Sequence, residues 1–131
     1  MLSIHSSPVG ELGKKDTGGM SVYVRELARA LGKRGHRIDI YTRLQDPAWK
    51  PQVQLYENVR LIHLRAGRKG HLSTLAVYPY LEEFIHELER FMATESICYD
   101  LVHSHYWLSG QAGIWLQDRL MIPHMFMFHT L

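Results

Sequence analysis

The sequence predicts an α/β fold with a doubly wound parallel sheet. Two runs carry apolar stripes at helical spacing, shorter runs rich in β-branched and aromatic residues lie between them, and the two kinds alternate as parallel strands with crossover helices require. The arrangement is Rossmann-like. MLSIHS is a candidate opening strand. From the pair Gly18-Gly19 onward, Met20, Val24, Leu27, Ala28 and Leu31 recur on one helical face, with Arg25, Glu26 and Arg29 on others, and Gly35 is placed to cap the carboxyl end. RIDIYT follows as the second strand. LQDPAWKPQVQLYEN reads as a loop with room for a short strand, and VRLIHL as the third strand. The next helix aligns Leu81, Phe84, Ile85, Leu88, Phe91 and Met92 in one stripe, and Pro79 is tolerated because it lies near the start. YDLVHSH is the fourth strand. A weaker third helix is expected from about Ser109, its N-cap, through Ala112, Trp115, Leu116 and Leu120, and HMFMFH after Pro123 is the fifth strand. No repeat, low-complexity tract or linker breaks the pattern. Residues 1–131 are therefore expected to form one domain. A domain that stops on a strand exit, without the helix that should follow, is expected to be truncated at its carboxyl end.

Composition narrows the function classes. At 131 residues, 46% hydrophobic and 21% charged, the chain can bury roughly two thirds of its unfolded surface in an ordinary globular core. The net charge of +2 comes from 15 Lys and Arg against 13 Asp and Glu that alternate in sign, which argues against nucleic acid as a partner. The single cysteine, Cys98, cannot form an internal disulfide, no signal-peptide pattern opens the chain, and no apolar run approaches the roughly 18 to 20 residues of a membrane span. A cytoplasmic location is expected, without a transmembrane segment.

Ligands of open parallel sheets bind outside the carboxyl ends of the strands. In this sequence those exits carry His5, Ser6, Ser7 and the loop ending in Gly18-Gly19; then His103, Ser104, His105 and Tyr106; then His129 and Thr130. Glycines just ahead of a helix let backbone approach a ligand, and the free amides of the first turn favour a phosphate or carboxylate. The competing reading makes DTGG only a tight turn with Asp16 or Thr17 as the helix cap. Neither G-x-G-x-x-G nor G-x-x-x-x-G-K-[ST] is present, so neither a nicotinamide cofactor nor a nucleoside triphosphatase is indicated. His103 and His105, two apart on a strand, share a face as paired metal ligands do, but Asp100 is the only nearby third donor, and hydrogen bonding to backbone or ligand is the commoner role. His129 alone reads as structural; beside Thr130 at the same sheet edge it becomes a candidate for sugar hydroxyls or phosphate oxygens. Trp107, Trp115, Tyr78-Pro79-Tyr80 and the Met-rich last strand are assigned to packing.

Three motifs together, DTGGMSVYVRELARALGKRGHRIDIYTR, YDLVHSHYWLSGQAG and IPHMFMFHTL, resemble the amino-terminal domain of retaining GT-B glycosyltransferases, over nearly the whole chain and in the same order. The resemblance is to the branch with sucrose-phosphate synthase, sucrose synthase and the N-acetylglucosaminyl transferase of mycothiol synthesis. It implies one half of a GT-B fold, acting on a nucleotide-diphosphate sugar as substrate and a sugar, sugar-phosphate or polyol acceptor. No cofactor or metal is implied. It places Gly18 and Gly19 near the donor diphosphate and acceptor, His129 at the transferred sugar as the catalytic candidate, and Thr130 and Tyr106 at an acceptor phosphate. Thr74 stands where related enzymes tend to carry a lysine, with Lys69 the nearest lysine. The donor nucleotide would be held by a carboxyl-terminal domain that these residues do not include, so the chain alone is expected to be nearly inactive. The alternative reading is a stand-alone module that binds sugar phosphate or nucleotide without turnover, and a third is a metal-dependent hydrolase built on His103 and His105.

Overall fold

Helix α1 (Gly19–Lys33) is followed by β1 (Ile38–Arg43), β2 (Gln52–Tyr56) and β3 (Val59–Leu64), then α2 (Thr74–Val77), a 3-10 turn (Tyr78–Tyr80), α3 (Leu81–Glu95), β4 (Val102–His105), α4 (Tyr106–Leu120) and β5 (His124–Met127). The computed structural model describes residues 1–9 and 18–130. Asp16 and Thr17, the sequence candidates for capping α1, lie outside the described residues; the N-cap is Gly18.

β1 runs parallel to β3, and β4 parallel to β5. The two groups are joined by the opening residues, where Leu2 bridges in parallel to Tyr41 on one side and Ser104 on the other. The Tyr41 and Ser3 amides donate to the Met1 and Tyr41 carbonyls at 2.9 and 3.0 Å, while the Leu2 and His105 amides donate to the His103 and Leu2 carbonyls at 2.8 and 3.0 Å. The predicted opening strand is thus the central connection of the sheet. β2 departs from the all-parallel expectation: it pairs antiparallel with β3, at the edge. A two-residue turn through Asn58, at φ 61°, is enough to reverse the chain there, whereas a parallel connection would need a crossover helix.

Each face of this sheet has its own core, as double winding requires. Ile40, Val59 and Leu61 pack with Val24 and Ala28 of α1. Tyr41, Ile62 and Leu64 point the other way, into Leu81, Phe84, Ile85 and Leu88 of α3 and Leu108, Ala112 and Leu116 of α4. Alternation of side chains along β1 and β3 produces the division. The α3 stripe is as predicted, with Phe91 and Met92 only half-buried at its far end. The α1 stripe is rotated: its buried residues are Ser21, Val24, Ala28 and Gly32, while Met20, Leu27 and Leu31 are partly exposed. Gly32 sits where a Cβ would come within 2.4 Å of the Glu57 carbonyl oxygen, so the helix lies too close to the sheet for a larger residue. Gly35 ends α1 as expected, at φ 92° with its amide donating to the Gly32 carbonyl at 3.0 Å. Among the described residues no helix is long and apolar enough to cross a membrane.

Ser109 does not begin α4. The helix starts three residues earlier, at Tyr106 directly after β4, and the buried Ser109 hydroxyl instead accepts the Ile4 amide at 3.0 Å. A hydroxyl that looks like a cap from sequence here satisfies a buried amide of a neighbouring strand, the same chemistry used over a longer range.

Candidate functional site

Every strand of the parallel set points its carboxyl end the same way, so the exits of the opening strand, β4 and β5 converge beside the first turns of α1. The loop that leaves the opening strand is fastened by hydroxyls. Ser3 donates to the Ser6 carbonyl at 2.6 Å, the Ser6 and Ser21 hydroxyls meet at 3.0 Å, and the Ser21 hydroxyl reaches the Ser7 carbonyl at 3.3 Å. Arg25 adds a bond to the Pro8 carbonyl at 3.2 Å. These bonds hold His5 in place against Tyr106, ring centroids 4.7 Å apart.

The second half of the site comes from β4, β5 and α1. His105, fully buried, sits with its Nδ1 2.8 Å from Nε2 of His129. Tyr23 of α1 packs edge-on against both rings, at 5.2 Å from His129 and 6.1 Å from His105. His103 lies on the same face of β4, its ring 4.3 Å from that of His105. Opposite them, Ser104 faces α4 and its hydroxyl bonds Nε2 of His124 at 2.7 Å.

The histidines are neutral donors and acceptors at pH 7. Burial pushes the His105 imidazole down to about 3, with the neighbouring His103 and His129 adding to the effect. Burial, then the charge of His129, brings His5 down to about 4. Burial also comes first in lowering His103, His124 and His129. Positive charge at this edge therefore resides in side chains such as Arg68 and Lys69, both exposed on the loop after β3. That loop is held from beneath by Arg43, a buried guanidinium that donates through Nε to the Ala66 carbonyl at 2.8 Å, through Nη1 to the Gly70 carbonyl at 3.0 Å and through Nη2 to the Arg68 carbonyl. Burial lowers the Arg43 pKa, with Tyr80 and Glu83 acting in the opposite direction.

The residues singled out from sequence fall as follows. His129 and Tyr106 are brought into the cluster, both half-buried and both with positive φ, 65° and 74°. The other three non-glycine residues with positive φ among the described residues, Asn58, Ser96 and Met121, sit in a hairpin turn or at helix carboxyl ends, where that conformation is routine. Tyr106 and His129 have no such excuse, and strained backbone of this kind concentrates at sites. Gly18 and Gly19 are exposed at the start of α1, one turn before Tyr23. Neither has a positive φ, and among the described residues a Cβ on either would meet nothing within 4 Å, so no packing demand from these residues calls for glycine there. Thr130 is exposed beside His129. Thr74 opens α2, and Lys69 lies five residues earlier on the exposed loop.

Sequence reasoning missed three contributors. Tyr23 could have been found by helical phase, since it follows Gly19 by four residues and so lies on the same side of α1. Arg43 and the bond between His105 and His129 left no local signal. Among the described residues no group of three or more His, Cys, Asp or Glu side chains is arranged to hold a metal ion.

Comparison with known proteins places this geometry in context. Residues 18–131 match the glycosyl transferase 4-like domain. The chain is 42% identical over 131 residues to a D-inositol 3-phosphate glycosyltransferase of Corynebacterium glutamicum, covering 100% of this chain and 31% of that protein. It is 40% identical over 132 residues to the protein of the same name from Nocardioides sp., covering 100% of this chain and 29% of the relative. Among solved structures it is similar to sucrose-phosphate synthase from Thermosynechococcus elongatus, with a TM-score of 0.90 and 29% identity over 99% of this chain and 32% of the other. The chain thus spans about a third of the length of these relatives.

Proposed function

The chain belongs to the glycosyl transferase 4-like domain family, and from that premise we propose that it is the acceptor-side, amino-terminal domain of a retaining glycosyltransferase of GT-B architecture. The observation that carries the reading is the convergence of Tyr106, His129 and the first turn of α1 at one sheet edge, two of them in strained backbone. In the proposed reaction the oxygen of an acceptor hydroxyl replaces a diphosphate oxygen at the anomeric carbon of a nucleotide sugar, and the hydroxyl proton passes to the departing diphosphate. The departing diphosphate gains negative charge, and fixed amides and a helix dipole aimed at it lower the barrier. The first-turn amides of α1, beginning at Gly18 and Gly19, are exposed and unshielded by any Cβ, which suits that task. His129 binds the transferred sugar, and Tyr106 and Thr130 bind the acceptor.

The relatives named for D-inositol 3-phosphate make a phosphorylated polyol the first acceptor to test. Arg68 and Lys69, on the loop that Arg43 anchors, supply positive charge suited to its phosphate in place of a lysine at Thr74. Donor binding is assigned to a second domain in the longer protein, no resident metal or organic cofactor takes part, and the reaction is cytoplasmic.

The test is release of nucleoside diphosphate by the full-length protein given a nucleotide sugar and D-inositol 3-phosphate. His129→Ala is expected to lower kcat/KM by roughly 10²-fold, the scale of one lost transition-state hydrogen bond in an enclosed site. Unchanged turnover in that variant would sink the site assignment. Saturable sugar-phosphate binding with no diphosphate release from any donor would favour the binding-module reading.

A further inference from the structure

The histidine pair carries information beyond its position. Two neutral imidazoles joined by one hydrogen bond must divide the roles, one nitrogen donating and the other accepting. Nδ1 of His105 faces Nε2 of His129 at 2.8 Å. The remaining His105 nitrogen, Nε2, is buried and has no hydrogen-bond partner among the described residues. If His105 carried its proton on Nε2, an N–H donor would be buried without an acceptor, and orphaned donors are rarer in folded proteins than orphaned acceptors. If the proton is on Nδ1, only a lone pair is left unpaired.

We infer that His105 is a positioning residue: its Nδ1–H donates to Nε2 of His129 and thereby fixes His129 as the Nδ1–H tautomer, so that His129 presents a donor, not an acceptor, to the ligand. A free imidazole side chain favours the opposite tautomer, so the bond does selective work. Burial of His105 keeps its ring neutral at pH 7, which preserves the one-proton arrangement. Tyr23, packed on the edges of both rings, restrains their rotation, and His129, at φ 65° just after β5, has its ring on His105 of β4. The ligand atom that meets Nδ1 of His129 is then a hydrogen-bond acceptor, such as an oxygen of a sugar, acceptor or phosphate. The identity of that ligand rests on the proposed function; the tautomer does not.

The experiment is long-range proton–nitrogen correlation NMR of the histidine rings in the ¹⁵N-labelled 131-residue chain at pH 7.5. The expected spectrum shows His129 with a protonated Nδ1 and a bare Nε2, and His105 likewise protonated on Nδ1. His105→Asn puts a side-chain amide donor where Nδ1–H stood and should retain the His129 pattern. His105→Asp replaces that donor with an acceptor and should move the His129 proton to Nε2. In the full-length protein the aspartate variant is expected to lose at least about tenfold in kcat while the asparagine variant stays within about threefold. A wild-type His129 protonated on Nε2 overturns the inference, whatever the variants do. The predicted tautomer in a protein that shows no transfer or sugar-phosphate binding would overturn the functional reading and leave the inference standing.

Discussion

Tyr106 and His129 pay for their positions in backbone conformation, and Gly18 and Gly19 do not. A tyrosine at φ 74° and a histidine at φ 65° each sit in a region that costs about 1 kcal/mol or more for a side chain with a Cβ. The glycines occupy ordinary backbone, and no described residue lies within 4 Å of an added Cβ, so packing among the described residues does not fix the residue type there. Gly19→Ala should therefore separate stability from function. It is expected to raise stability by about 0.5 kcal/mol, through a less flexible unfolded chain, and to lower kcat/KM by at least about tenfold. Denaturant melts beside steady-state rates check both, and a variant with full activity would remove the glycine pair from the site. The histidines give a pH prediction with a definite sign. His105 and His5 fall from an ordinary 6.5 to about 3 and about 4 in the fold, so the unfolded chain binds protons that the folded one refuses. These two histidines cost nothing above about pH 6.5 and from there downward up to about 1.4 kcal/mol each per pH unit, about 2 kcal/mol each by pH 5; the buried Met1 amine, lowered from 8.0 to about 6, adds its own loss between about pH 8 and 6. Thermal melts between pH 7.5 and 5 should show a decline, and His105→Asn should make it shallower below about pH 6.5 by the His105 share, about 2 kcal/mol at pH 5. At this scale the sequence made His129, Tyr106 and the glycines visible, because strand exits and helix starts are local. The bond between His105 and His129 joins residues 24 apart in sequence through the parallel pairing of β4 with β5, and no spacing rule encodes it.

Elements were legible where their pattern was local and obscure where a neighbour decided the outcome. The two amphipathic helices follow from apolar periodicity, and the strands β1, β3, β4 and β5 from short runs rich in β-branched and aromatic residues. α4 was the weak one, and its sequence explains why: beside the buried Leu108, Ala112 and Leu116 it also buries Ser109, Gly110 and Gly113, so half of its inner surface is made of small residues that add little to an apolar stripe. A Cβ at Gly113 would lie 2.3 Å from the Ser104 hydroxyl and 2.2 Å from Nε2 of His124, and one at Gly110 2.6 Å from the Phe126 ring. The helix is seated against β4 and β5 by the absence of those atoms. Gly113→Ala should consequently destabilise the protein by up to about 2 kcal/mol, since overpacking of about 1–3 kcal/mol is set against the roughly 1 kcal/mol that alanine gains in a helix. Chemical denaturation measures this, and a stabilised variant would mean that α4 is free to move away from the sheet. The rotated stripe of α1 has the same origin in Gly32, a poor helix former by propensity that acts in the fold as a point of close approach.

At the scale of the whole molecule, the question is why two groups of strands behave as one sheet. β2, β3 and β1 form one hydrogen-bonded set and β4 with β5 another, and the residues around Leu2 connect them. A charged cluster adds a second tie: Asp39 on β1 is bonded by Arg60 of β3 at 2.8 Å through both Nε and Nη2, and by the hydroxyl of Tyr99, which precedes β4. Burial opposes the Asp39 charge, but the bonds from Arg60 and Tyr99 outweigh it and hold the carboxyl below its ordinary range. The opening residues carry the larger share, because they supply backbone bonds to both sides and put Leu2 and Ile4 into the core shared with α3 and α4. They also deliver His5 to Tyr106, so the integrity of the sheet and of the site depend on the same few residues. Leu2→Ala is expected to cost about 2–4 kcal/mol. The informative readout is amide exchange at Tyr41 and His105, whose N–H groups bond Met1 and Leu2 from opposite sides of the connection. If the sheet opens as a unit, both amides should speed up by the same factor, the one set by the loss of global stability. Acceleration at His105 alone would instead mean that β4 and β5 detach from a still-folded remainder, taking His105 and His129 with them while α1 and its glycines stay in place.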